Sequence, residues 1–71
     1  MLKGTRPAII KHIQPVSVHG QVSLDVAWVD PDAPDDVHHS RVGSEAVPRN
    51  LEVGDQVTLR FLMGMVTEIT K

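Results

Sequence analysis

Two stretches of this chain alternate apolar and polar side chains with a period of two, and that alternation leaves few folds open. In Gln21–Val29, Val22, Leu24, Val26 and Trp28 fall on one side, and Ser23, Asp25 and Ala27 on the other. Near the end of the chain, Val57, Leu59 and Phe61 alternate with Thr58, Arg60 and Leu62. Both patterns are those of strands with one buried face. The second belongs to a hairpin, Leu51–Lys71 (LEVGDQVTLRFLMGMVTEITK). There Gly54-Asp55 turns the chain in and Met63-Gly64 turns it back, since Gly64 takes the positive φ of a two-residue connection without steric conflict.

A hairpin is marginal alone in water, so the rest of the chain has to supply strands that cover its apolar side. Gly4–Ile13 is predicted as the first strand, with Ala8 and Ile10 inward and Ile9 and Lys11 outward. Ile13 breaks that parity, which predicts a bulge near Lys11 or His12. Pro7 lacks a donor and belongs at the strand's start or on an edge. Gln14-Pro15 is expected to interrupt the ladder, with Val16–His19 as a short extension. Asp30–Asp36 (DPDAPDD), with two prolines and four acids, is predicted as a loop. Val37–Gly43 is β-compatible but polar and reads as an edge strand whose side chains discourage pairing. Pro48 suits the first position of a single helical or 3₁₀ turn, and Leu51 and Val53 are expected to plug one end of the core. The expectation is one all-β domain over residues 1–71, a small five-stranded antiparallel barrel of OB-like or SH3-like kind, with an open meander as the alternative.

The chain has 71 residues and no cysteine, so neither disulfides nor thiolate metal sites contribute to a small core. A net charge of -2 offers no overall attraction for phosphate or an anionic membrane. The charges are unevenly placed: Lys3, Arg6 and Lys11 stand near the start, and Asp30, Asp32, Asp35 and Asp36 crowd one segment. No apolar run reaches the length of a membrane span, and the opening MLKGTRPAIIKH lacks the continuous apolar core of a signal peptide. A soluble cytoplasmic chain, or the soluble domain of a membrane-attached parent, is the expectation.

With its strands placed, the chain resembles the small OB-like barrels found as soluble modules of bacterial membrane-associated proteins, the NfeD type among them. Gly4-Thr5-Arg6-Pro7-Ala8 opening a first strand, the alternation from Val22 to Trp28, Val47-Pro48, and Leu51-Glu52-Val53-Gly54-Asp55-Gln56-Val57 opening the last hairpin carry the likeness. The L-x-V-G-D-x-V segment recurs in many unrelated β-barrels, because each needs a tight turn between a plug residue and a strand. The resemblance implies an interaction or accessory domain without chemistry of its own. The membrane helices that precede those modules have no counterpart in these residues.

Candidate chemistry is sparse. His38 and His39, with Asp35 or Asp36, have the residue types of a metal site, but neighbours on a strand point to opposite faces, so two adjacent imidazoles do not share one ion. Asp30–Asp36 has the carboxylates of a calcium loop without its glycine, and carries Pro31 and Pro34 instead. His12 and His19 have no serine or acid placed to work with them, no carboxylate pair occupies a shared face, and an interior filled by side chains leaves no substrate cavity. The sequence therefore predicts no enzyme, no metal and no cofactor.

Two binding readings remain. Val29, Leu62, Met63 and Met65 are apolar residues that the alternation or the turn leaves at least partly outside, and clustered they would form a docking patch for a protein partner or a second copy. The alternative is nucleic acid, with Lys3, Arg6, Lys11, Arg41 and Arg60 as the basic groove and an exposed Trp28 as the stacking platform. The protein reading is preferred, because the chain has no tyrosine, one phenylalanine expected in the core, and a negative balance.

Overall fold

The computed structural model describes residues 3–71, the side chain of Lys3 excepted. Five strands follow one another: β1 Lys3–Val18, β2 Gln21–Asp30, β3 Ala33–Gly43, β4 Gln56–Leu62 and β5 Met65–Thr70. A 3₁₀ turn, Ser44–Ala46, follows β3. All five strands form one antiparallel sheet in the order β3-β2-β1-β4-β5. The meander alternative is thereby replaced: β4 pairs with β1 and not with β3. The sheet curls until β3 and β5 approach each other, without a ladder between them. The arrangement is that of a small, partly open OB-like barrel.

The length of β1 makes this possible. Its first half, Lys3–Ile9, pairs with β4, and its second half, Ile9–Val18, pairs with β2. The register shifts between Ile10 and His12, so Lys11 forms the bulge that the parity of Ile13 requires. Pro15 does not interrupt the strand as expected but sits opposite Leu24. It is tolerated because β4 ends its pairing at Ile9, which leaves that part of β1 with a neighbour on one side only. Pro7 stands opposite Thr58 of β4, at a level that β2 does not reach, and is accommodated in the same way.

The segment Asp30–Asp36 is a loop only in part. Pro31 and Asp32 make the turn, and β3 begins at Ala33. Asp30 pairs with Ala33 and Val29 with Val37, so Pro34, Asp35 and Asp36 swell out of the ladder with β2 while staying extended. The turn is held because the Asp30 carboxylate accepts the backbone N–H of Asp32 at 2.9 Å, an Asx-type contact that composition alone does not reveal.

Ala8, Ile10, Val26, Trp28, Val42, Val57, Leu59, Val66 and Ile69 form the core, with Leu24, Ile13 and Phe61 packed against it. Val22 shares the inward parity of Leu24 but is half exposed, because β3 ends its pairing at Ser23. One end is closed by Ala46, Val47 and Leu51. A turn does start at Pro48, whose carbonyl accepts Leu51 N–H at 3.3 Å, in addition to the 3₁₀ turn before it. One expectation fails here: Val53 is 61% exposed and no plug. The cause is the backbone, since Gly54 N–H donates to the Ile10 carbonyl at 2.7 Å and Ile10 N–H to the Asp55 carbonyl at 2.9 Å. These bonds pin the segment against the bulge, and the Asp55 carboxylate accepts Glu52 N–H at 2.8 Å and pairs with Lys71 at 3.0 Å.

Candidate interaction site

The four apolar residues expected outside separate into two groups. Leu62, Met63 and Met65 stand together at the tip of the β4–β5 hairpin, 50%, 68% and 69% exposed, with Leu62 directly opposite Met65. Val29 does not join them; it is fully buried. It points to the outer side of β2, where Ile9 of β1 and Val37 of β3 stand opposite it on either flank and cover it. Sequence alternation put Val29 on the side away from Trp28 and so left it exposed, which is wrong, because cross-strand neighbours bury it.

The tip is built on a two-residue turn in which both residues have positive φ, 54° at Met63 and 81° at Gly64. Glycine adopts this conformation freely, whereas a methionine there is uncommon and disfavoured by contact between its Cβ and the backbone. The other tight hairpin has the same backbone at His19-Gly20, with φ 51° and 79°. Histidine is among the side chains enriched in that region and methionine is not, so Met63 is the local anomaly. Gly64, Met65 and Val66 also line a shallow pocket with His39, Ser40 and Arg41, so the tip lies across the open seam from the second half of β3.

The residues proposed for nucleic acid are not assembled into a groove. Trp28 is only 3% exposed and is no surface platform. Its indole N–H donates to Ser40 Oγ at 3.1 Å, His38 stacks on it at 4.6 Å between ring centroids, and Phe61 meets it edge-on at 6.1 Å. Arg6 lies 5.7 Å from the Trp28 centroid and donates to Asp30 at 2.9 Å. Arg41 grips Asp25 through Nε at 2.8 Å and Nη2 at 3.3 Å, and Arg60 pairs with Glu68 at 3.4 Å. Arg6 stands opposite Leu59, on the inward side, while Arg60 stands opposite Thr5, on the other. Lys11 is exposed at the bulge, and the side chain of Lys3 lies outside the described residues. Each of the three arginines thus has its own acid, and neighbours on β1 and β4 present them to opposite faces.

Three of the carboxylates are held below the ordinary aspartate range. For Asp25 the main cause is the hydrogen bond from Arg41, for Asp30 the backbone N–H of Asp32 and then Arg6, and for Asp55 the backbone N–H of Glu52 and then Lys71. His38 and His39 diverge as adjacent strand residues must: His38 lies against Trp28 and 3.4 Å from Asp36, whereas His39 lines an outer pocket with Asp25 and Arg41. Among the described residues no helix is long and apolar enough to cross a membrane. No protein-family model, curated protein or solved structure matches the chain.

Proposed function

We propose that this chain is a non-catalytic protein-interaction module whose docking element is the β4–β5 hairpin tip, Leu62, Met63 and Met65. The observation that carries the reading is Met63. A turn that would be more stable with asparagine or glycine at this position instead displays a flexible, polarizable side chain to solvent, between two further exposed apolar residues. Backbone strain of this kind concentrates where a side chain is needed for contact, and methionine adapts to the shape of an apolar partner surface. The ion pairs of Arg6, Arg41 and Arg60 and the burial of Trp28 weigh against a backbone-tracking groove for nucleic acid.

The test is a double variant, Leu62→Asp with Met65→Lys, in which both substitutions fall on exposed positions facing each other. Its amide spectrum is expected to match the parent outside the hairpin, while proteins captured by the immobilised parent from a lysate of the source cell are lost. Equal capture by parent and variant would overturn the reading. So would displacement of the Arg6 and Arg41 resonances by single-stranded oligonucleotide at low salt with the hairpin tip unmoved.

A further inference from the structure

The seam between β3 and β5 leaves one edge of β3 without a ladder partner among the described strands. We propose that this edge pairs with the same edge of a second copy of the chain, antiparallel and centred on Val37, to join two five-stranded sheets into one. The proposal goes beyond the hairpin-tip reading and stands on a different surface.

Two features of β3 point to a second copy as the occupant. The first is its sequence around Val37, Asp35-Asp36-Val37-His38-His39. Antiparallel pairing about Val37 sets each Asp36 opposite a His38 of the other copy and each Asp35 opposite a His39. Opposite residues share a face, so all four pairings bring a carboxylate acceptor to an imidazole donor and none brings like to like. Few five-residue segments are complementary to themselves in this way. The polar side chains that mark β3 as an edge protected against promiscuous pairing therefore select one particular neighbour.

The second feature is a row of apolar side chains. Ile9, Val29 and Val37 stand opposite one another across β1, β2 and β3 on the outer side of the sheet. Val29 is fully buried within the row, but Val37, at its end, is 49% exposed. A second Val37 opposite the first extends the row across the twofold axis and covers the only half-exposed member of it. The isologous symmetry also closes the assembly at two copies, since each has one such edge.

Sedimentation equilibrium of the parent from micromolar to millimolar concentration is expected to show the mass doubling. Val37→Lys, which sets two ammonium groups against each other at the axis, is expected to remain at the monomer mass with its core amide resonances unchanged. A second arm guards against loss of association through misfolding. Asp35→Lys alone and His39→Glu alone each replace a complementary pairing by a like-charged or unmatched one, and each is expected to be monomeric. Their equimolar mixture is expected to recover the doubled mass, because the introduced lysine then faces the introduced glutamate. A parent that stays monomeric at millimolar concentration overturns the proposal, as does a mixture that fails to associate. A dimer that tolerates Val37→Lys but dissolves in the Leu62→Asp, Met65→Lys variant also overturns it, and assigns the contact to the hairpin tip.

Discussion

The hydrogen bond between the Trp28 indole and the Ser40 hydroxyl links β2 to β3 inside an otherwise apolar core, and its energetic weight can be isolated. Ser40→Ala leaves a buried indole N–H without an acceptor, which costs about 1–3 kcal/mol because the donor was desolvated for that bond. Trp28→Phe removes the donor together with part of the stack on His38 and the edge contact with Phe61, for about 2 kcal/mol in lost packing and hydrogen bonding. In the double variant no indole is left to be orphaned, so the packing loss dominates and the total falls below the sum of the single changes by about 1–2 kcal/mol. For a domain of this length each kcal/mol displaces the melting midpoint by roughly 4–8 °C. Urea titration followed by far-ultraviolet circular dichroism reads all four members of the cycle, and Trp28 fluorescence is avoided because the cycle removes it. Additivity within about 0.5 kcal/mol would refute the reasoning, since it would mean that Ser40 does not satisfy the indole in solution.

The remaining expectations address the core, the turn and the acids. Leu59→Ala, at a fully buried position opposite Ile69, should cost about 2–5 kcal/mol and leave much of the population unfolded in thermal melts. Met63→Asn should raise stability by up to about 1 kcal/mol, because asparagine tolerates the left-handed backbone better, while weakening the proposed docking. Gly64→Val, at φ 81°, should destabilise the hairpin, visible as faster amide exchange in β5. Asp25, Asp30 and Asp55 have folded-state pKa values below the ordinary 3.8, so each contributes stability that is present above that value and lost as the pH falls through the lowered one. Acid titration of stability should therefore fall less steeply below about pH 4 when all three are replaced by asparagine, and an unchanged slope would count against these contacts.

The two strictly alternating segments were legible because one face of each is buried throughout its central part, and burial of one face is what a two-residue period encodes. The bulge at Lys11 was legible for the same reason, as a break in parity at Ile13. What the sequence concealed was set by contacts between distant segments. Val29 is shielded by Ile9 and Val37, which no local pattern connects to it. Val53 faces out because backbone bonds from Gly54 and Asp55 to Ile10 fix the segment that carries it. Pro15 and Pro34 lie within strands because each sits where the sheet has no neighbour on one side or where the ladder swells. The apolar tip at Leu62, Met63 and Met65 was found from the alternation and the turn, whereas the arginines did not form a surface because acids from other strands came to meet each one.

The double duty of β1 sets the order in which this molecule can be completed during synthesis. Its second half meets β2 as soon as the next hairpin leaves the ribosome, but its first half waits for Gln56–Leu62, near the far end of the chain. Until then the part of β1 before Ile9 has no strand to pair with, and chaperones or other nascent chains can reach it. A non-local pairing of this kind also delays the rate-limiting step, so folding should be slow for so short a chain. Any release of the polypeptide before β4 leaves the first half of β1 with nothing to bind it.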